Sequence, residues 1–128
     1  MATFRAPQVI LFSDDLPRAV AFYSRLGFTE TFRVPADGEP IHVDLALDDY
    51  RIGIASGDST REDHGLEPLT HGQRAAVICW TDDTVAAFEE LTADGAGSLS
   101  PPHEWLGRLL IAWIADPDGN PIQIVQEL

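Results

Sequence analysis

Basic side chains are scarce in this 128-residue chain: 8 Lys and Arg stand against 21 Asp and Glu, for a formal net charge of −13. Non-specific nucleic-acid binding depends on Lys and Arg displacing counterions from phosphates, so the composition excludes it. An anionic membrane surface is disfavoured on the same grounds. Cysteine is scarcer still. Cys79 stands alone, so no intrachain disulfide forms, which is the pattern of a reducing cytosol. Its setting, Ala75-Ala76-Val77-Ile78-Cys79-Trp80, is that of a buried structural thiol rather than a nucleophile. Long apolar runs are also missing. No stretch reaches the roughly 20 residues of a membrane span, and Met1 to Asp15 lacks the plan of a signal peptide. What is present is a 45% hydrophobic composition, ordinary for a globular domain of this length.

The chain contains a repeat. Gln8–Gly27 aligns with Ala76–Gly95 at an offset of 68 without a gap, with Val9/Val77, Ile10/Ile78, Asp14/Asp82, Asp15/Asp83, Ala19/Ala87 and Gly27/Gly95 identical. At an offset of 70, Asp48, Ile52 and Ile54 fall on Asp118, Ile122 and Ile124. A small difference in a loop or hairpin accounts for the drift. The sequence thus reads as one domain, 1–128, of two units at about 7–58 and 74–127 joined by the polar stretch Gly57–Gly72.

Each unit reads as β-α-β-β-β, an α+β arrangement. Gln8–Ser13 and Ala76–Thr81 are Val/Ile-rich runs expected as strands buried on both faces. Asp15 and Asp83 fall where helix N-caps belong, and Gly27 and Gly95 where left-handed C-terminal residues belong. Leu16, Val20, Tyr23 and Leu26 form a stripe at helical spacing, as do Val85, Phe88 and Leu91. Strands are expected at Phe28–Val34, Ile41–Leu47 and Arg51–Ala55, and in the second unit at Ser98–Ser100, Leu109–Ala115 and Pro121–Val125. Asp48-Asp49 and Asp118-Gly119-Asn120 supply the turns.

A doubled βαβββ unit closing on Asp116-Pro117-Asp118-Gly119-Asn120-Pro121-Ile122-Gln123-Ile124 resembles the vicinal oxygen chelate superfamily of glyoxalases, extradiol dioxygenases and bleomycin-resistance proteins. Val9-Ile10-Leu11-Phe12-Ser13-Asp14-Asp15-Leu16, Ala21-Phe22-Tyr23, Leu26-Gly27-Phe28 and Trp105-Leu106-Gly107-Arg108 carry the same resemblance. It implies a curved mixed sheet with helices on the convex side and a site on the concave face. It also implies a homodimer.

The positions that hold metal ligands in that superfamily fall here on Gln8, Gly53, Ala76 and Gln123. Gly53 and Ala76 have no donor, and the two glutamines offer only neutral amides where a divalent ion wants imidazole or carboxylate. No metal and no cofactor are therefore expected. His64 and His71 lie in the polar connector and read as solvated loop histidines. His42 points off the Ile41/Val43/Leu45 face, toward solvent or the concave site. His103-Glu104 could serve acid–base chemistry, with a loop hydrogen bond the simpler reading.

The expected ligand-binding set is Gln8, Ile10, Phe12, His42, Gly53, Ala76, Ile78, Trp80, Trp105 and Gln123, an apolar slot lined with aromatics. Trp113 defaults to the core. Such a slot suits planar molecules and cations, and the net charge favours a cationic guest. The resemblance implies a cytoplasmic, metal-free protein that sequesters a small aromatic molecule, as the antibiotic-binding resistance proteins do. The rival is a superfamily enzyme, a lyase, isomerase or dioxygenase, with unexpected metal ligands or with His42, His103 or Glu104 as acid–base groups. A ligand-free interaction module is the third possibility.

Overall fold

The structure is a computed structural model that describes residues 3, 5–72 and 75–128. The chain divides into two compact units, Met1–Thr70 and His71–Leu128. The expected start of the second repeat at residue 74 lies outside the described residues. The mixed sheet is divided between the units, four strands to each.

In the first unit β1 (Val9–Ser13) leads into α1 (Leu16–Arg25), then β2 (Thr29–Val34), β3 (His42–Leu47), β4 (Tyr50–Ser56) and α2 (Gly57–His64). The strand order is β1-β4-β3-β2, with β1 parallel to β4 and the other pairs antiparallel. Asp15 caps α1 by accepting from the Arg18 amide at 3.2 Å, and Gly27 ends it at φ +104°, a conformation that glycine adopts without Cβ strain. Leu16, Ala19 and Tyr23 of α1 are buried, as are Val43, Leu45, Ile52 and Ile54 on the sheet beneath. Tyr23 meets Phe28 edge-on, with ring centroids 5.7 Å apart.

The second unit repeats the plan with β5 (Val77–Trp80), α3 (Thr84–Ala93), β6 (Gly97–Trp105), β7 (Leu109–Ala115) and β8 (Pro121–Glu127), in the order β5-β8-β7-β6. The inferred repeat is reproduced strand by strand: Val9 pairs with Ile52 as Val77 pairs with Ile122. Asp83 caps α3 through the Ala86 amide at 3.0 Å. Asp116 organises the β7–β8 turn. Its carboxylate accepts from the backbone amides of Asp118 (3.0 Å) and Asn120 (2.7 Å) and from Asn120 Nδ2 (2.9 Å).

Four expectations need correction. β1 and β5 are not buried on both faces: Leu11 and Ser13 are buried, whereas Ile10 and Ile78 are exposed. Each is an edge strand, and alternation sends successive side chains to opposite faces. Part of the polar connector is helical. Ser56 caps α2 through the Ser59 amide, Gly65 closes it at φ +68°, and Ser59 bonds Asp63 one turn on; His64 is its last residue rather than a loop residue. β6 runs nine residues instead of three, because an edge strand tolerates Pro101 and Pro102 where its register shifts. On α3 the expected stripe is only partly buried, with Val85 exposed and Phe88 and Leu91 half-buried. The fully buried residue is Thr84. Its amide donates to Gln126 Oε1 and its hydroxyl to the Leu110 carbonyl, which sets the rotation of the helix.

Candidate functional site

Residues directly opposite each other in a sheet share a face, so the registers define rows of side chains. On the face of the first unit opposite α1, one row is Ile10, Gly53, Asp44 and Phe32; the next is Phe12, Ala55, His42 and Val34. His42 therefore lies with Ile10 and Phe12, away from the Val43/Leu45 core.

The polar side chains on this face converge on Gly53. Asp44 Oδ1 accepts from Gln8 Nε2 at 2.8 Å and bonds His42 Nε2 at 2.7 Å. A carboxylate only accepts, so His42 donates through Nε2. Gly53 makes the convergence possible: a Cβ there would stand 3.1 Å from both Gln8 Nε2 and His42 Cε1 and 3.2 Å from Asp44 Oδ1. Around this polar centre the rows are apolar, with Phe32 53% exposed and Ile10 46% exposed. Glu30 and Arg33 pair on the other face of β2. The two hydrogen bonds from Arg33 hold the Glu30 carboxyl below its ordinary pKa.

In the second unit, on the face opposite α3, the corresponding rows are Ile78, Gln123, Trp113 and Ser100, then Trp80, Val125, Ile111 and His103. Trp80 is 62% exposed and Ile78 58%. Trp105, which lies beyond the strand expected at Ser98–Ser100, is the last residue of β6 and lies opposite Leu109. Trp113, expected in the core, is half-buried beside Gln123. A cavity of about 320 Å³ opens at the end of β5, lined by Trp80, Thr81, Asp82, Gln126 and Glu127.

The structure thus gathers Gln8, Ile10, Phe12, His42 and Gly53 on one face of the first unit, and Ile78, Trp80, Trp105 and Gln123 on one face of the second. Ala76 is exposed just ahead of β5. His103 and Glu104 are not a pair: they lie opposite Ile111 and Leu110, on different faces, and His103 Nδ1 bonds the Pro101 carbonyl at 2.8 Å. Sequence reasoning missed Asp44, Phe32 and Val34. Asp44 follows His42 by two residues in an alternating strand, and that spacing was the available signal. Cys79 faces the helix side, where burial pushes its thiol pKa up.

The match to known proteins follows this geometry. The family model for the Glyoxalase/Bleomycin resistance protein/Dioxygenase superfamily matches residues 5–124, and the chain belongs to that superfamily. No curated protein matches it. Among solved structures, TioX from Micromonospora sp. ML1 is 26% identical with a TM-score of 0.74, over 94% of this chain and 97% of that one. A glyoxalase/bleomycin resistance protein/dioxygenase from Nocardioides is 23% identical, TM-score 0.75, over 98% and 87%. Lactoylglutathione lyase from Agrobacterium tumefaciens is 18% identical, TM-score 0.68, over 98% and 96%. The last two likenesses establish the fold alone.

The side chains at the four positions expected from the resemblance to correspond to metal ligands do not suit a divalent ion. Gly53 and Ala76 supply no donor, Gln8 commits its amide nitrogen to Asp44, and Gln123 offers a neutral amide. Among the described residues no three His, Cys, Asp or Glu side chains cluster in a way that could hold a metal.

Proposed function

We propose that this chain binds and sequesters a small, largely aromatic molecule without a metal ion, in the manner of the bleomycin-resistance-type antibiotic-binding proteins, and does so as a cytoplasmic homodimer. The observation that carries this reading is the display of large apolar side chains on the sheet faces opposite the helices. Phe32 and Ile10 in one unit, and Trp80, Ile78 and Trp105 in the other, are each about half exposed or more. Exposed apolar groups on a sheet face, beside a few placed polar atoms, are the make-up of a ligand site, and each unit taken by itself carries such a face. The unsuitable donors at Gln8, Gly53, Ala76 and Gln123 support the same reading.

A thermal-shift panel of divalent ions and planar antibiotics, with metal analysis of protein purified without chelator, tests it. Stabilisation by planar organic molecules and not by ions is expected. Stoichiometric metal, or stabilisation by nickel, zinc or iron alone, would refute it.

One observation favours a second reading, an enzyme using metal-independent acid–base chemistry. The His42–Asp44 bond orients an imidazole beside an apolar surface, as a general base requires. Chemical change of a bound ligand by the wild type and not by His42→Ala would establish turnover; recovery of the ligand intact from both would leave sequestration.

A further inference from the structure

We propose that the Gln8–His42–Asp44 cluster over Gly53 is an anchor for a protonated amine carried by the ligand. This rests on the small-molecule-binding reading above and names the class of molecule it would take.

Asp44 keeps only 15% of its side-chain surface exposed. Both hydrogen bonds to its carboxylate enter Oδ1, from Gln8 and from His42, and Oδ2 takes none among the described residues. Because His42 donates through Nε2, its Nδ1 is an acceptor in the neutral ring, and it too lacks a partner among the described residues. The cluster therefore presents an unmatched carboxylate oxygen, with a second acceptor beside it whenever the imidazole is neutral. The adjoining positions in both rows, Ile10, Phe12, Ala55, Phe32 and Val34, are apolar and supply no donor. Arg51 lies two residues along β4 on the same face but makes no bond to Asp44.

An ammonium group answers this arrangement. It brings several N–H donors and a positive charge, and its bond to a largely desolvated carboxylate is charge-assisted. Phe32, the row neighbour of Asp44, adds an exposed aromatic ring, and such rings attract cations through their quadrupoles. A ligand carboxylate or phosphate meets repulsion at the same point, and a neutral hydroxyl makes one weaker bond. Gly53 keeps the approach open, since any side chain there would crowd the three residues of the cluster.

The test uses three probes built on one naphthalene body, 1-naphthylmethylamine, 1-naphthylmethanol and 1-naphthoate, titrated at neutral pH against the whole chain by calorimetry or ligand-observed NMR. The amine is expected to bind roughly tenfold or more tighter than the alcohol, with naphthoate weakest. Asp44→Asn should remove the amine's advantage and leave the alcohol within about threefold of its wild-type affinity. Equal binding of amine and alcohol, a preference for naphthoate, or an amine preference that survives Asp44→Asn overturns the anchor while aromatic binding stands. If none of the three binds, the aromatic-binding reading falls and the anchor with it. Should Asp44→Asn fail to fold, the wild-type series decides alone. Gly53→Ala then gives a second check, expected to weaken the amine more than the alcohol.

Discussion

Replacing Asp116 by alanine should be among the most damaging single changes to the second unit. The Asp116 side chain lies in a turn whose residues 116, 118 and 120 are all at least 95% buried. Oδ1 satisfies two backbone amides, those of Asp118 and Asn120, and Oδ2 satisfies Asn120 Nδ2. Alanine leaves three buried donors without an acceptor. Each such loss costs about 1–3 kcal/mol, so a total of about 3–5 kcal/mol is expected, partly relieved by entry of water. For a chain of this size that corresponds to a fall in Tm of roughly 10–20 °C. Asp116→Asn separates the hydrogen-bond account from simple loss of bulk. Its carbonyl oxygen can keep both backbone amides, but its NH₂ would face the Nδ2 of Asn120. Asn120 Oδ1 has no partner in the native turn, so a flip of that amide would restore one bond. About 1–2 kcal/mol is then the expected cost. Urea titrations of both variants, followed by circular dichroism, measure the difference. A loss below about 1 kcal/mol for the alanine variant, or equal losses for the two, would refute the reasoning.

Trp80→Ala should abolish binding of planar ligands and change stability by less than about 1 kcal/mol, because a side chain 62% exposed contributes little to the core; affinity unchanged by the substitution would remove Trp80 from the site. Asp15→Ala and Asp83→Ala should each cost about 1 kcal/mol in urea unfolding, as single helix caps do. Gly53→Ala adds a Cβ against Gln8, His42 and Asp44 but meets no positive-φ penalty; folding stability within about 1 kcal/mol of wild type is expected by the same assay. The Cys79 thiol, raised in pKa by burial, should react with iodoacetamide far more slowly in the native chain than in urea. Its pKa is higher folded than unfolded, so its contribution is complete below the ordinary thiol pKa of about 8.5 and is lost as pH rises through the folded value. Stability that holds steady through that alkaline range would contradict this.

The frame was legible because it depends on local rules. Asp followed by a helix, glycine at its end and alternation in 41–47 each have a local cause, and the repeat doubled every signal. The site was less legible because it depends on which strands lie side by side. Asp44, between two apolar residues, reads from sequence alone as a solvated outward position. Only the pairing of β3 with β4, and of β4 with β1, brings it to Gly53 and within reach of Gln8. Helix α2 was not legible because Gly57–His64 has no apolar stripe; it is held by the Ser56 cap, the Gly65 terminus and buried Thr60, whose hydroxyl donates to the Ser56 carbonyl. The length of β6 was hidden by two prolines that would end an interior strand.

Equivalent rows of the two units show where the repeat has diverged. Strand for strand, Ile10, Gly53, Asp44 and Phe32 correspond to Ile78, Gln123, Trp113 and Ser100, and Phe12, Ala55, His42 and Val34 to Trp80, Val125, Ile111 and His103. On the paired central strands the helix-facing residues are apolar in both units, Ile52 and Ile54 in one and Ile122 and Ile124 in the other, because they fill a core. Divergence is concentrated on the opposite face. In the first unit the centre of that face is a glycine flanked by a carboxylate and an imidazole; in the second it is an amide flanked by a tryptophan. The core requirement acts only on the helix-facing rows of the two central strands, so the opposite row of each unit was left to take its own chemistry, polar around Gly53 in the first and aromatic around Gln123 in the second.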